Sequence, residues 1–155
     1  MKEELMKEAI RLSLEKMSSG TAGPFGAIVV RNGEIIGRGW NQVVGTSDPT
    51  AHAEIVAIRD ACRHLKHHHL AGCEIYASCE PCPMCLGAMY WARVDRIWYG
   101  ATRDDAAAAG FDDAFIYEEL SLPLVQRRIR TSQAMRNEAA EVLEAWVRKS
   151  DKTPY

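Results

Sequence analysis

Residues 73–101 read CEIYASCEPCPMCLGAMYWARVDRIWYGA, and the order of patterns within them decides the fold. Cys73–Ser78 is a short apolar run suited to a buried strand. Pro81 suits the first turn of a helix, which Cys85, Leu86, Ala88, Met89 and Trp91 continue. Arg96–Ala101, RIWYGA, is rich in aromatic and β-branched residues and reads as a further strand. Towards the N-terminus, Pro49 and Thr50 offer an N-cap for a helix from about Ala51 to Lys66. Asn41–Asp48 is polar and loop-like. Phe25–Val30 and Glu34–Gly39 flank the turn Arg31-Asn32-Gly33, and Asn-Gly between apolar runs marks a hairpin. Leu5, Ile10, Leu12, Leu14 and Met17 lie at near-helical spacing among Glu and Lys, predicting an amphipathic helix that ends near Ser18-Ser19-Gly20. Beyond residue 101 the spacing predicts a helical turn over Glu118–Leu120, a short strand over Arg128–Thr131 and a helix over Glu138–Lys149. Alternating strands and helices imply an α/β sheet with helices on both faces.

The length, 155 residues, suits one compact domain with a core large enough to dispense with disulfides. Nineteen Lys and Arg against 21 Asp and Glu leave a net charge of −2, which argues against nucleic acid as the main partner, because such binding runs on cationic neutralisation of phosphates. Arg127, Arg128 and Arg130 form a local basic cluster that reads as a solvated edge. Residues 1–17 are too charged for the apolar part of a secretory signal, and no apolar run spans a bilayer. The five cysteines, Cys62, Cys73, Cys79, Cys82 and Cys85, are an odd and partly clustered set, as expected of reduced thiols with some on a metal. A cytoplasmic protein without membrane contact is expected.

Two short segments carry chemistry. His52-Ala53-Glu54 opens one predicted helix, and Pro81-Cys82-Pro83-Met84-Cys85 opens the next. Cys82 and Cys85, three residues apart on a helix, project about 60° apart around its axis, on one face. Two thiolates and an imidazole suit zinc, whose catalytic sites use three protein ligands and leave the fourth position for water. Glu54 follows His52 by two residues, about 200° around an ideal helix, so the two cannot share a site on the helix flank. They can share one off the N-terminal end of the helix. There Glu54 reaches the water without binding metal and acts as a general acid–base. The competing reading is a structural zinc site closed by a fourth ligand, for which Cys79 is the candidate. Pro81 opposes it by separating Cys79 from the helix that carries the other two thiols. Cys62 and Cys73 read as small buried hydrophobes, and His67-His68-His69 as a solvated helix end.

His-x-Glu with Pro-Cys-x-x-Cys matches the known signature of zinc deaminases that act on nucleobases. On Thr50-Ala-His-Ala-Glu54 and Ser78-Cys-Glu-Pro-Cys-Pro-Met-Cys85 the chain resembles the cytidine-deaminase-like superfamily. Gly23-Pro-Phe-Gly26, Leu86-Gly-Ala-Met-Tyr-Trp-Ala92, Ala109-Gly-Phe-Asp-Asp-Ala-Phe-Ile-Tyr117 and the terminal Pro154-Tyr155 resemble its small bacterial guanine-deaminase branch. The resemblance covers nearly the whole chain and is weakest from Val125 to Glu144.

That resemblance implies a three-layer α/β/α fold around a mixed sheet of about five strands. It implies one zinc ion per subunit on His52, Cys82 and Cys85, with Glu54 as proton shuttle. It also implies a homodimer of single-domain subunits that swap C-terminal segments. Asn41 and Asp113 would hydrogen-bond a purine; Phe25, Trp91 and the partner's Tyr155 would wall the ring; backbone near Ala53 and Cys82 would meet the substrate and developing oxyanion. The reaction implied is hydrolysis of guanine to xanthine and ammonia. Related substrates stay open: guanosine, cytosine or cytidine, an ammeline-type triazine, or adenosine in transfer RNA. So does a zinc-stabilised scaffold without turnover, against which Glu54 speaks. Phe25 and Trp91 equally suit a core, Asn41 suits a turn cap, and Glu141 and Glu144 are further candidates for proton transfer.

Overall fold

The computed structural model describes residues 2–154. Its elements run α1 (Lys2–Ser18), β1 (Gly26–Arg31), β2 (Glu34–Trp40), α2 (Val43–Thr46), α3 (Ala53–Leu65), β3 (Cys73–Cys79), α4 (Pro83–Trp91), β4 (Arg96–Ala101), α5 (Arg103–Ala108), α6 (Ala114–Ser121) and α7 (Arg136–Arg148), with a 3₁₀ turn at Leu124–Gln126. The chain divides into two compact units, one up to Asp113 and one from Ala114 onwards.

The first unit holds a mixed sheet in the order β2-β1-β3-β4. β1 pairs antiparallel with both β2 and β3, and β3 pairs parallel with β4. The β1–β2 hairpin turns through Asn32 (φ 52) and Gly33 (φ 83), the left-handed pair that a two-residue hairpin requires. Because side chains alternate across a strand, β1 serves both faces of the sheet. Ala27 and Val29 join Ala53, Ala57 and Ala61 of α3, Ile75 and Ala77 of β3, and Met89 of α4 in one core. Ile28 and Val30 join Ala9 and Leu12 of α1 and Tyr76 in the other. The result is an α/β/α arrangement.

Strand direction decides where the site lies. β2 and β3 both run antiparallel to β1, so both end at one edge of the sheet, where β1 begins. The helices that follow them, α3 and α4, therefore start at that same carboxyl edge. α3 lies close over β2 because β2 presents glycines to it. A Cβ on Gly37 would stand 2.6 Å from the Ala57 carbonyl oxygen, and one on Gly39 would run into the Ala53 carbonyl.

Several boundaries differ from the sequence expectations. α3 starts at Ala53 with His52 as its N-cap, whereas Thr50 turns its amide and hydroxyl onto the Asp48 carboxylate at 2.8 and 2.7 Å. α4 starts at Pro83, not Pro81, with Cys82 as N-cap. The loop after Asn41 contains the short helix α2. The sheet has four strands rather than about five among the described residues. Residues 128–131 do not pair as a strand: the Arg127 guanidinium donates to the carbonyls of Leu122 and Leu120, and the Glu119 carboxylate accepts from the Arg128 amide, at 3.0, 3.2 and 2.7 Å. The second unit consists of α6, the 3₁₀ turn and α7, and none of these elements buries a residue.

Candidate active site

His52 and Cys82 are both N-cap residues in extended conformation, with φ/ψ of −67/157 and −66/167. Neither side chain caps its own helix, so both are free to point off the helix ends into the space between them. Cys85, one turn into α4, is fully buried. The three meet: His52 Nδ1 lies 3.5 Å from Cys82 Sγ and 3.5 Å from Cys85 Sγ. Zn–N bonds of about 2.0 Å and Zn–S bonds of about 2.3 Å at a tetrahedral angle imply N···S separations of about 3.5 Å. The donor set and its spacing therefore fit zinc, and all three ligand atoms lie within 4.8 Å of one another.

Cys79 is not part of this group. It ends β3 and its thiol points to the Thr102 carbonyl at 3.5 Å. A closed four-ligand structural site thus lacks its fourth member among the described residues, and a three-ligand site with an open position remains. The histidines after α3 stand apart too: His67 Nδ1 accepts from the His69 amide and His69 Nδ1 from the Ala71 amide, at 3.2 and 3.4 Å.

The electrostatics match the donor set. A hydrogen bond from Cys85 and the neighbouring His52 hold the Cys82 thiol down at about 4, against the cost of burial. The hydrogen bond with Cys82, and burial after it, push the Cys85 thiol upwards. The Cys82 thiolate raises His52 through its hydrogen bond. Glu54, at the second position of α3, is 8% exposed; burial raises its carboxyl, and the Cys82 thiolate adds to that.

The other anticipated residues divide. Asn41 is 9% exposed and sits immediately after β2; its amide donates to the Phe25 carbonyl at 3.0 Å, and its Oδ1 accepts from the Val43 amide at 3.3 Å. The turn-cap reading is therefore realised in part, on one side-chain oxygen. Phe25 packs on the core and meets Phe111 edge-on, centroids 4.9 Å apart. Ala53 is buried beside His52. Burial raises the Asp113 carboxyl, the Cys82 thiolate adding to that and the Arg103 guanidinium opposing it. Trp91 ends α4, nine residues from Cys82, with 73% of its surface exposed. Tyr155 lies outside the described residues. Phe111, and the bond from the Arg103 amide to Glu80, were not anticipated; Phe111 lies inside a quoted motif, but the Glu80 bond spans 23 residues and leaves no local mark.

With this geometry in hand, three comparisons agree. The family model described as "Cytidine and deoxycytidylate deaminase zinc-binding region" matches residues 1–101. The chain is 47% identical to guanine deaminase of Bacillus subtilis (strain 168) over 153 residues, 99% of this chain and 98% of that protein. The X-ray structure of guanine deaminase from Bacillus subtilis superposes with a TM-score of 0.96 at 47% identity, covering 99% of this chain and 98% of that one. The tRNA-specific adenosine deaminase of Aquifex aeolicus (strain VF5) is 36% identical over 96% of this chain and 95% of its own length.

Proposed function

The chain belongs to the zinc-binding cytidine and deoxycytidylate deaminase family, and from that premise we propose that it hydrolyses guanine to xanthine and ammonia. It is a zinc-dependent aminohydrolase. The observation that carries this is a three-ligand group, without a fourth protein ligand among the described residues, with the buried carboxyl of Glu54 two residues from one ligand.

His52, Cys82 and Cys85 hold the metal, which when bound supplies Lewis acidity and a water with a pKa of about 7. Glu54 would take one proton of the attacking water and pass it to the purine ring nitrogen, and would then carry the second, from the hydroxyl left on the purine carbon, to the leaving amine. A carboxyl raised by burial is suited to giving and taking a proton in turn. A C–O bond forms and the C–N bond to the amine breaks, releasing ammonia. Asn41 offers the base both a donor and an acceptor, and the Asp113 carboxylate accepts from ring N–H groups. Phe25 supplies an apolar wall, braced by Phe111. Backbone at Ala53 and Cys82 meets the substrate and the developing oxyanion. The wall roles of Trp91, which is exposed at the end of α4, and of Tyr155 rest on the resemblance.

A homodimer with swapped C-terminal segments is part of this proposal. What supports it is the second unit's run of exposed apolar residues, among them Val125, Ile129, Val142, Leu143 and Val147. Among the described residues no helix is long and apolar enough to cross a membrane. A cytoplasmic enzyme of purine catabolism fits these properties. The substrate is a small molecule, with the relation to tRNA-specific adenosine deaminases favouring RNA as the second reading.

Ammonia release from guanine, guanosine, cytosine, cytidine, adenine, adenosine and ammeline tests the base directly. Guanine is expected to lead the series. Salt-sensitive tight binding of transfer RNA, with turnover of adenosine in it and none of guanine, would replace the proposal with the second reading.

A further inference from the structure

Glu80 stands in the loop between β3 and the ligand Cys82 and takes no part in the metal group. Its amide donates to the Ala101 carbonyl at 2.9 Å, carrying the parallel β3–β4 pairing one step beyond Cys79↔Ala101. Its carboxylate Oε2 accepts from the Arg103 amide at 3.1 Å. Arg103 is the first residue of α5, and its N–H is one that a helix leaves without an internal partner. Thr102 and Asp105 close a capping box around that same turn. The loop carrying the ligands is thereby tied to the start of α5. From there α5 and the turn that follows it lead to Asp113. Gly110 (φ 93) reverses the chain at the end of α5, the Phe111 amide returns to the Ala106 carbonyl at 2.9 Å, and the Phe111 ring meets Phe25. Asp113 follows two residues later.

We propose that Glu80 is a positioning residue: through the Arg103 amide it sets where the Phe111–Asp113 turn stands relative to Cys82, and so governs how tightly guanine is held. The inference rests on the reading of Asp113 as a purine contact given above.

The test is steady-state guanine kinetics with zinc content measured on every variant. Glu80→Ala should keep its zinc and raise KM about 10- to 100-fold, the range that losing one hydrogen bond to a charged group carries, with kcat much less affected. Glu80→Gln should stay close to wild type, because its amide oxygen still accepts from Arg103. Arg103→Pro cuts the bond from the other side. Proline is well tolerated at the first helical position, and Thr102 before it is already extended. Arg103→Pro should therefore raise KM well beyond Arg103→Ala, which keeps the N–H, and this pair decides the matter even if Glu80→Ala fails to fold. In an Asp113→Ala background, Glu80→Ala should add nothing further. A wild-type KM in Glu80→Ala, equal effects of Arg103→Pro and Arg103→Ala, or losses that multiply with Asp113→Ala would each overturn the role of Glu80. A wild-type enzyme that leaves guanine untouched would instead overturn the functional reading on which it rests.

Discussion

Among the described residues Glu54 is the one buried acid, and its position beside the three ligands gives that burial a use. Desolvation disfavours its charge and raises the carboxyl above the ordinary glutamate range, so it takes up a proton more readily than a surface glutamate does. Glu54→Gln keeps the shape and removes the exchange. It should retain zinc while kcat falls by about 10²- to 10⁴-fold, measurable by single-turnover kinetics with metal analysis. Asp113→Ala should also retain zinc but lose selectivity for guanine over other bases; unchanged guanine kinetics in that variant would take Asp113 out of the mechanism. The ligands and Glu54 were legible in the sequence because their spacing is local, within His52–Glu54 and Cys82–Cys85. Asn41 was legible as a candidate, but its bond to the Val43 amide shows one oxygen serving the loop, a division that depends on how α2 folds back.

Helix starts are the element on which the site depends, since α3 and α4 present their N-caps at one sheet edge. Gly39 allows α3 to lie against β2 at the level of Ala53, next to His52. Gly39→Ala must push that helix end away, and overpacking of this kind costs about 1–3 kcal/mol. The melting temperature should drop by several degrees and zinc affinity with it; an unchanged melting curve would show that the helix end has slack. On the opposite face, Glu74 of β3 accepts from Trp98 Nε1 of β4 at 2.6 Å and from the Tyr76 hydroxyl at 3.1 Å. The Trp98 bond, first of these, holds the Glu74 carboxyl below the usual glutamate range. A depressed folded-state pKa contributes stability that is present above the unfolded value and lost as pH falls through the folded one. Acid melts of wild type should therefore lose stability below the ordinary glutamate range, and Glu74→Gln should flatten that loss. Elements were legible wherever period and turn chemistry agreed, as in the β1–β2 hairpin. The starts of α3 and α4 were each read two residues early, because Thr50 and Pro81 also satisfy the local rules and only tertiary packing chooses His52 and Cys82 as caps. Residues 128–131 have a strand-like look, but arginine side chains and Glu119 take up nearby backbone groups instead.

At the scale of the molecule, the first unit accounts for the layers, both cores and the metal group, whereas the elements of the second bury none of their residues. The sequence carries this contrast only weakly, since α7 has ordinary amphipathic spacing and nothing local says what covers its apolar side. If a second copy covers it, light scattering should give a dimer, and Leu143→Glu should weaken it; a monomer at working concentrations would remove the swap from the account. Zinc removal by a chelator should lower the melting temperature, because a ligand that binds only the folded chain stabilises it. The central claim is that this fold places a zinc-binding group and a proton-carrying carboxyl around guanine. The most direct test is to incubate zinc-loaded wild type and Glu54→Gln with guanine and measure xanthine and ammonia together. Equal amounts of both are expected from wild type and almost none from the variant at equal zinc content. Full zinc occupancy with no xanthine from wild type, or undiminished turnover in Glu54→Gln, would contradict it.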